Sequence, residues 1–338
     1  MALCPGREKV WAVPAHVLND RSGGVSMSNP RPSANDRRSL VNAYDEHLAG
    51  GVAVVIGGAG TGAGLGAGLV REFARAGMRV AIVDLDHEAA LRLATELQAN
   101  GSPAIALQAN ITDASQMAQA AATVRQHFGS CNILCVHVGG GGQGKFEEVS
   151  TDALRETLEL NVIGPVGAIQ AFLPLMRGSA GVRRIVLTSS AAALAPGRFQ
   201  GSYRAAKSAI TSVGETLDLE LGPEGIGTTI AFPSGMLPAG MLKGIALPEV
   251  SDDEATAADS QDIGMAIYAE MASRATDLAS GEDAAKPVVL AVARGHRYVV
   301  THGESVLRNH RAKAELLEAA LEDLRARGGK PLIAESIA

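Results

Sequence analysis

Val52-Ala53-Val54-Val55-Ile56-Gly57-Gly58-Ala59-Gly60-Thr61-Gly62-Ala63-Gly64-Leu65-Gly66 runs from five apolar, mostly β-branched residues straight into six glycines in ten positions. A continuous apolar run of that length reads as a strand covered on both faces, and the glycines end it. Beyond them Leu65, Leu69, Val70 and Phe73 recur at helical spacing, which predicts a helix reaching about Ala76. Strand, glycine turn and helix in that order begin a doubly wound sheet. Only side-chain-free residues let a backbone come close to a pyrophosphate, which the free N–H groups and positive end of the helix then attract. A merely flexible turn is the competing reading.

Working outward, the same alternation repeats. Val80–Val83 precedes a helix over Glu88–Ala99, Ala104–Leu107 one over Ala114–Phe128, and Ile133–Val138 one over Thr151–Met176. Arg184–Thr188 then precedes a helix over Tyr203–Leu221, and Gly227–Phe232 follows. Strands alternating with helices predict an α/β fold, a doubly wound and mostly parallel sheet of Rossmann type in a single domain. From Gly235 to Ala285 strand character is lost and a helix-compatible, partly acidic segment stands where a helical substrate lid would. Val288–Ala293 and Arg297–Thr301 resume the apolar pattern, and Glu304–Arg327 reads as a closing amphipathic helix with Leu307, Leu316, Leu317, Leu321 and Leu324 on its apolar side. The expected organisation is a flexible leader over 1–47, a catalytic domain over 48–304 with its lid at 235–285, and a C-terminal helix and tail over 305–338. The leader is rich in Pro, Ser, Asn and Arg without periodicity, so it is expected to be dispensable.

Composition narrows the partners. With 46% hydrophobic and 20% charged residues the chain is an ordinary globular one, and its net charge of −6 argues against a nucleic-acid partner. No apolar run is read as reaching the ~18–20 residues of a membrane span, so no membrane partner is expected. Cys4, Cys131 and Cys135 form no disulfide pattern and fit a reducing cytoplasm. Cys131, Cys135 and His137 alternate along an apolar strand, so they read as core residues and no metal is expected.

The chemistry clusters at the strand ends. Asp84 closes the second strand 18 residues after Gly66, where a carboxylate can accept both hydroxyls of an adenosine ribose and repel a 2′-phosphate, which favours NAD over NADP. Tyr203 and Lys207 lie four residues apart on one helical face. A phenol of pKa ~10 is a poor base near neutrality, and a neighbouring ammonium lowers that value by favouring the phenolate. Ser190 lies just beyond the strand Arg184–Thr188, in the crevice where open α/β sheets bind ligands.

In their order along the chain, the glycine turn, Asp84, Asn110 before Ile111, Asn161 in Leu160-Asn161-Val162, Ser190, and Tyr203 with Lys207 resemble the short-chain dehydrogenase/reductase family from about Gly51 to Phe232. The resemblance implies Tyr203 as general acid/base, Lys207 as its pKa-lowering partner and a holder of the nicotinamide ribose, Ser190 as the group orienting the substrate oxygen, and Asn161 as organiser of a proton-relay water. It implies cofactor contacts at Gly58, Gly60, Gly62, Gly64, Leu65, Gly66, Asp84, Asn110, Ile111, Gly139, Tyr203, Lys207 and Pro233. It also implies a homodimer or homotetramer built through the helices following Thr151 and Ser202.

The chain departs from the family pattern in places. The threonine-glycine opening is replaced by Ile56-Gly57 or Ala59-Gly60, and the turn is about two residues longer than usual. Helix register points to Gly60, Gly64 and Gly66 as the family glycines, with Gly58, Gly62 and Gly64 as the other register. Val136-His137-Val138-Gly139 stands for Asn-Asn-Ala-Gly, and Pro233-Ser234 for Pro-Gly. His137 is read as a structural or cofactor-side residue. The expected activity is an NAD-dependent oxidoreductase acting between a secondary alcohol and a ketone, loosely like bacterial members that take bulky secondary or aryl alcohols. The other readings are a dehydratase or epimerase of the same fold and a non-catalytic NAD-binding sensor.

Overall fold

A computed structural model describes residues 47–60, 62–142, 144–194, 197–236, 279–303 and 305–326. Seven strands form one sheet: β1 (Val52–Ile56), β2 (Arg79–Asp84), β3 (Ala104–Gln108), β4 (Ile133–Val136), β5 (Arg183–Thr188), β6 (Ile226–Phe232) and β7 (Tyr298–Val300). Their order is β3-β2-β1-β4-β5-β6-β7 and every pairing is parallel. The sheet is therefore of Rossmann type, as the alternation of runs predicts. The chain reverses its direction of travel across the sheet between β1 and β4, the switch point outside which such sheets bind ligands.

Among the described residues seven helices accompany the strands: α1 (Leu65–Arg75), α2 (His87–Ala99), α3 (Ala114–Phe128), α4 (Thr151–Arg177), α5 (Gly201–Leu221), α6 (Gly281–Ala293) and α7 (Ser305–Ala326). Alternate strand residues point into two apolar layers. Ala53, Val55, Val80, Ile82 and Cys135 meet α1, α2 and α6, while Val52, Val54, Leu134, Ile185 and Cys131 meet α3, α4 and α5. Cys131 and Cys135 sit in opposite layers although they are four residues apart, because Cys131 precedes β4 and the strand's period of two does not extend to it.

Asp86, Asp113, Ser150 and Ser280 cap α2, α3, α4 and α6 with side-chain oxygens. Helix α1 starts from Gly64 with no side-chain cap, and α5 starts from Gln200 likewise.

Two expectations need correction. The run Val288–Ala293 is the second half of helix α6, buried on α1, because a short apolar run carries no period to separate strand from helix. Gly281–Ala285, placed at the end of the lid, belong to the same helix, while positions 237–278 of the lid and 1–46 of the leader lie outside the described residues. The helix Thr151–Arg177 is, by length and composition, apolar enough to cross a membrane. Its Ala168, Ile169, Phe172 and Met176 are buried in the core under the sheet.

Candidate active site

The glycine turn is fixed by backbone crowding at two points. Gly57 has φ +75°, and a Cβ there would stand 2.0 Å from the His137 carbonyl oxygen. A Cβ on Gly66 would stand 2.2 Å from the Gly57 carbonyl oxygen and 2.9 Å from the His137 ring. Around Gly60, Gly62 and Gly64 a Cβ would meet nothing within 4 Å, and Gly58 packs against Val55 and Val70.

The turn therefore opens with Ile56-Gly57, enters α1 through Gly64-Leu65-Gly66, and carries its extra residues between them. Gly57 was not among the cofactor contacts expected from sequence. Its signal was its place directly after the last strand residue, hidden among five further glycines.

Asp84 faces this turn from the end of β2. One carboxylate oxygen accepts N–H hydrogen bonds from Ala59 at 2.9 Å and Gly60 at 3.2 Å, and the other accepts from Asp86 at 3.1 Å. Asn110, at the end of β3, turns its side chain inward on its own loop, accepting from the Thr112 amide and hydroxyl, and Ile111 beside it is buried.

Opposite the turn, β4, β5 and two helices assemble a polar cluster. Helix α4 contains a π turn over Glu159–Ile163, a local widening that the apolar pattern does not reveal. It presents the buried Asn161 amide to Gly140, which donates to Asn161 Oδ1 at 3.3 Å and accepts from Nδ2 at 3.0 Å. Lys207 on α5 is buried and donates to the carbonyls of Val138 at 3.1 Å and Thr188 at 3.0 Å. Gly139 lies between the two: its Cβ would stand 2.5 Å from both Asn161 Oδ1 and Lys207 Nζ.

Tyr203 lies one turn earlier on α5, its ring centroid 5.7 Å from the Lys207 ammonium. Ser190 caps a short 3-10 turn through the Ala192 amide, and its hydroxyl lies near enough to the Tyr203 phenol to favour the phenolate. Pro233 accepts from the Ala191 amide at 2.8 Å and so holds the Ser190 segment against β6.

The electrostatics correct one expectation. Burial pushes the Tyr203 phenol up, against the Ser190 hydroxyl and the Arg204 charge, which pull it down. Lys207 spends its hydrogen bonds on backbone carbonyls, and burial pushes it down to about 8. The net direction for the phenol is therefore upward, the reverse of the lowering expected from the Lys207 ammonium alone.

His137, at the end of β4, joins Thr188 Oγ1 through Nδ1 at 3.1 Å. Burial, with the Lys207 charge adding, pushes its imidazole down to about 4. A neutral ring thus ties the ends of β4 and β5 together beside the turn.

Among the residues expected at the site, the structure brings Asn161, Ser190, Tyr203, Lys207 and Gly139 into one cluster and the glycines and Asp84 into another at neighbouring strand ends. Gly140 and Thr188, which hold Asn161 and Lys207 by backbone carbonyls, were missed because backbone contacts leave no side-chain signal.

The model of the short chain dehydrogenase family matches residues 51–248. The chain is 28% identical over 234 residues to the 1-deoxy-11-beta-hydroxypentalenate dehydrogenase of Streptomyces exfoliatus, covering 69% of this chain and 84% of that protein. It is 32% identical over 190 residues to a 2,5-dichloro-2,5-cyclohexadiene-1,4-diol dehydrogenase of Sphingobium indicum, covering 56% and 74%. A short chain dehydrogenase/reductase from Burkholderia phymatum, solved in complex with NAD, superposes with a TM-score of 0.68 at 26% identity over 81% of this chain and 96% of that one. Carried by the parallel sheet, the glycine turn and the Ser190–Tyr203–Lys207–Asn161 cluster, the match is one of sequence and architecture alike, and the chain belongs to the short-chain dehydrogenase/reductase family of oxidoreductases.

Proposed function

We propose that the protein is an NAD-dependent dehydrogenase that interconverts a secondary alcohol and a ketone. The observation that carries the reading is the buried Lys207 ammonium 5.7 Å from the centre of the Tyr203 ring, with the buried Ser190 hydroxyl near the phenol. When bound, the nicotinamide supplies or accepts the hydride. Ser190 holds the substrate oxygen, and Tyr203 gives or takes its proton at the phenol oxygen. Lys207 would hold the nicotinamide ribose, and Asn161, fixed on Gly140, would organise a proton-relay water.

The residues fit a dinucleotide. Crowding at Gly57 and Gly66 brings the turn close to α1, and the open space around Gly60, Gly62 and Gly64 with the uncapped start of α1 suits a pyrophosphate. Gly58, Leu65, Asn110, Ile111, Gly139 and Pro233 would add contacts to the dinucleotide, and Asp84, at the end of β2, would accept the hydroxyls of the adenosine ribose.

The preference for NAD over NADP rests on that carboxylate. Relatives named for hydroxyl- and diol-bearing compounds favour an alcohol substrate. A homodimer or homotetramer through α4 and α5, and a cytoplasmic location, complete the reading.

A panel of secondary alcohols and ketones followed at 340 nm with NAD(H) and NADP(H) tests it. Turnover with the NAD form is expected. Absence of turnover with every substrate, in protein that still binds NADH, would replace the enzyme by a sensor.

A further inference from the structure

Helix α7 carries an apolar seam left exposed by the rest of the described chain. Leu307, His310, Ala314, Leu317 and Leu321 follow one another at spacings of three and four, the a and d positions of a heptad. All are exposed, Leu317 by 58% and Leu321 by 50%. A helix of 22 residues spans about 33 Å, and an isolated helix is barely stable in water, most helical stability in proteins coming from packing of an apolar face.

The charges compound the problem. The first half holds Arg311 and Lys313 against Glu315, and the second Glu318 and Glu322 against Arg325, so the helix runs from net basic to net acidic. Arg325 in the last turn apart, that order opposes the helix macrodipole, which favours anions near the N-terminus and cations near the C-terminus. Glu318 and Glu322 are also like charges one turn apart, which repel.

One neighbour corrects all three defects, namely the same helix running the other way. An antiparallel copy covers the leucine seam, opposes the macrodipole and lays its acidic half along the basic half. A parallel copy would set basic against basic.

We propose that α7 is an interaction surface that pairs antiparallel with the α7 of a second copy of this chain. The crossing lies around Ala314 and Leu317, with Arg311 of one copy facing Glu318 of the other. The contact is separate from the α4 and α5 surface and does not depend on the reaction catalysed.

The test uses two full-length variants. Arg311→Glu with Lys313→Glu leaves the helix acidic along both halves, and Glu315→Lys with Glu318→Lys and Glu322→Lys leaves it basic. Molar mass is followed by sedimentation equilibrium for the wild type, each variant and their equimolar mixture, with melting temperature as the folding control. Each variant alone is expected to associate at least ~10-fold more weakly than wild type at unchanged melting temperature, and the mixture to regain the wild-type mass. Either variant keeping the wild-type mass, or a mixture that fails to regain it, would overturn the pairing and leave the seam to a segment of the chain's own or to another protein.

Discussion

The two sides of the cleft use glycine for opposite reasons. At the β4 end, Gly139 is wedged between the Asn161 amide and the Lys207 ammonium, and the polar groups around it satisfy one another within the chain. At the glycine turn, Gly60, Gly62 and Gly64 face open space, and the helix behind them begins without a side-chain cap. Among the described glycines of the turn, Gly57 and Gly66 are the ones whose Cβ would press hardest on protein backbone. The first region is built to hold a fixed geometry by itself, and the second to receive backbone-close ligand atoms. In sequence the two kinds of glycine look alike.

The largest effect belongs to the preorganised side. Tyr203→Phe should lower turnover by roughly 10²-fold or more while NADH binding, followed by fluorescence, stays nearly intact. Equal turnover would remove the phenol from the chemistry and the contrast with it.

Next comes the turn, where two glycines two residues apart should behave differently. Gly66→Ala forces a Cβ against the Gly57 carbonyl and should cost ~1–3 kcal/mol in thermal or denaturant unfolding. Gly64→Ala meets no protein atom and should leave stability unchanged while weakening cofactor affinity. If both lose stability equally, the open space in front of the turn is not what keeps Gly64 a glycine.

Asp84→Ala should erode a preference for NAD over NADP of at least ~10-fold, about 1.4 kcal/mol, measured as the ratio of kcat/KM with the two cofactors. The same carboxylate also gathers the Ala59 and Gly60 amides, so the variant should raise KM for both cofactors. A wild type favouring NADP would mean that Arg79 or another cation overrules the carboxylate.

His137 sharpens the comparison in pH. Its folded value of about 4 lies below the ordinary 6.5, so the unfolded chain takes up the proton first. The ring's contribution to stability is complete above pH 6.5 and is lost as pH falls towards 4. His137→Asn should flatten that loss by about 1 kcal/mol at pH 5, after allowance for the ring's partial exposure, read from melting temperatures at pH 5 and 7.

The smallest expected effect lies outside the cleft. A chain beginning at Met27 should keep the melting temperature and turnover of the full chain. A drop of several degrees would place Trp11 and Val13 in a packed contact.

The alternation of strands and helices was legible because each strand is a near-continuous β-branched run, and the cluster of Ser190, Tyr203 and Lys207 because its spacing suits one helix and one strand end. Helix α6 was obscured because Val288–Val292 carries no period. The π turn at Asn161 was hidden because an apolar pattern passes through it unbroken. The register of the glycine turn depends on the carbonyls of His137 and Gly57, contacts far apart or main-chain in origin, which composition does not encode.

One further contact ties this site to the order in which the chain is made. A Cβ on Gly281 would stand 2.3 Å from the Gly64 carbonyl carbon, and one on Gly68 would stand 2.3 Å from the Gly281 oxygen. The back of the nucleotide turn is thus closed by a residue synthesised more than 200 positions later. A growing chain can pair β1 with β2 on the ribosome, yet the turn acquires its wall only when α6 emerges. Because such long-range closure is slow, cofactor affinity should mature late in refolding, after most of the helical signal has returned.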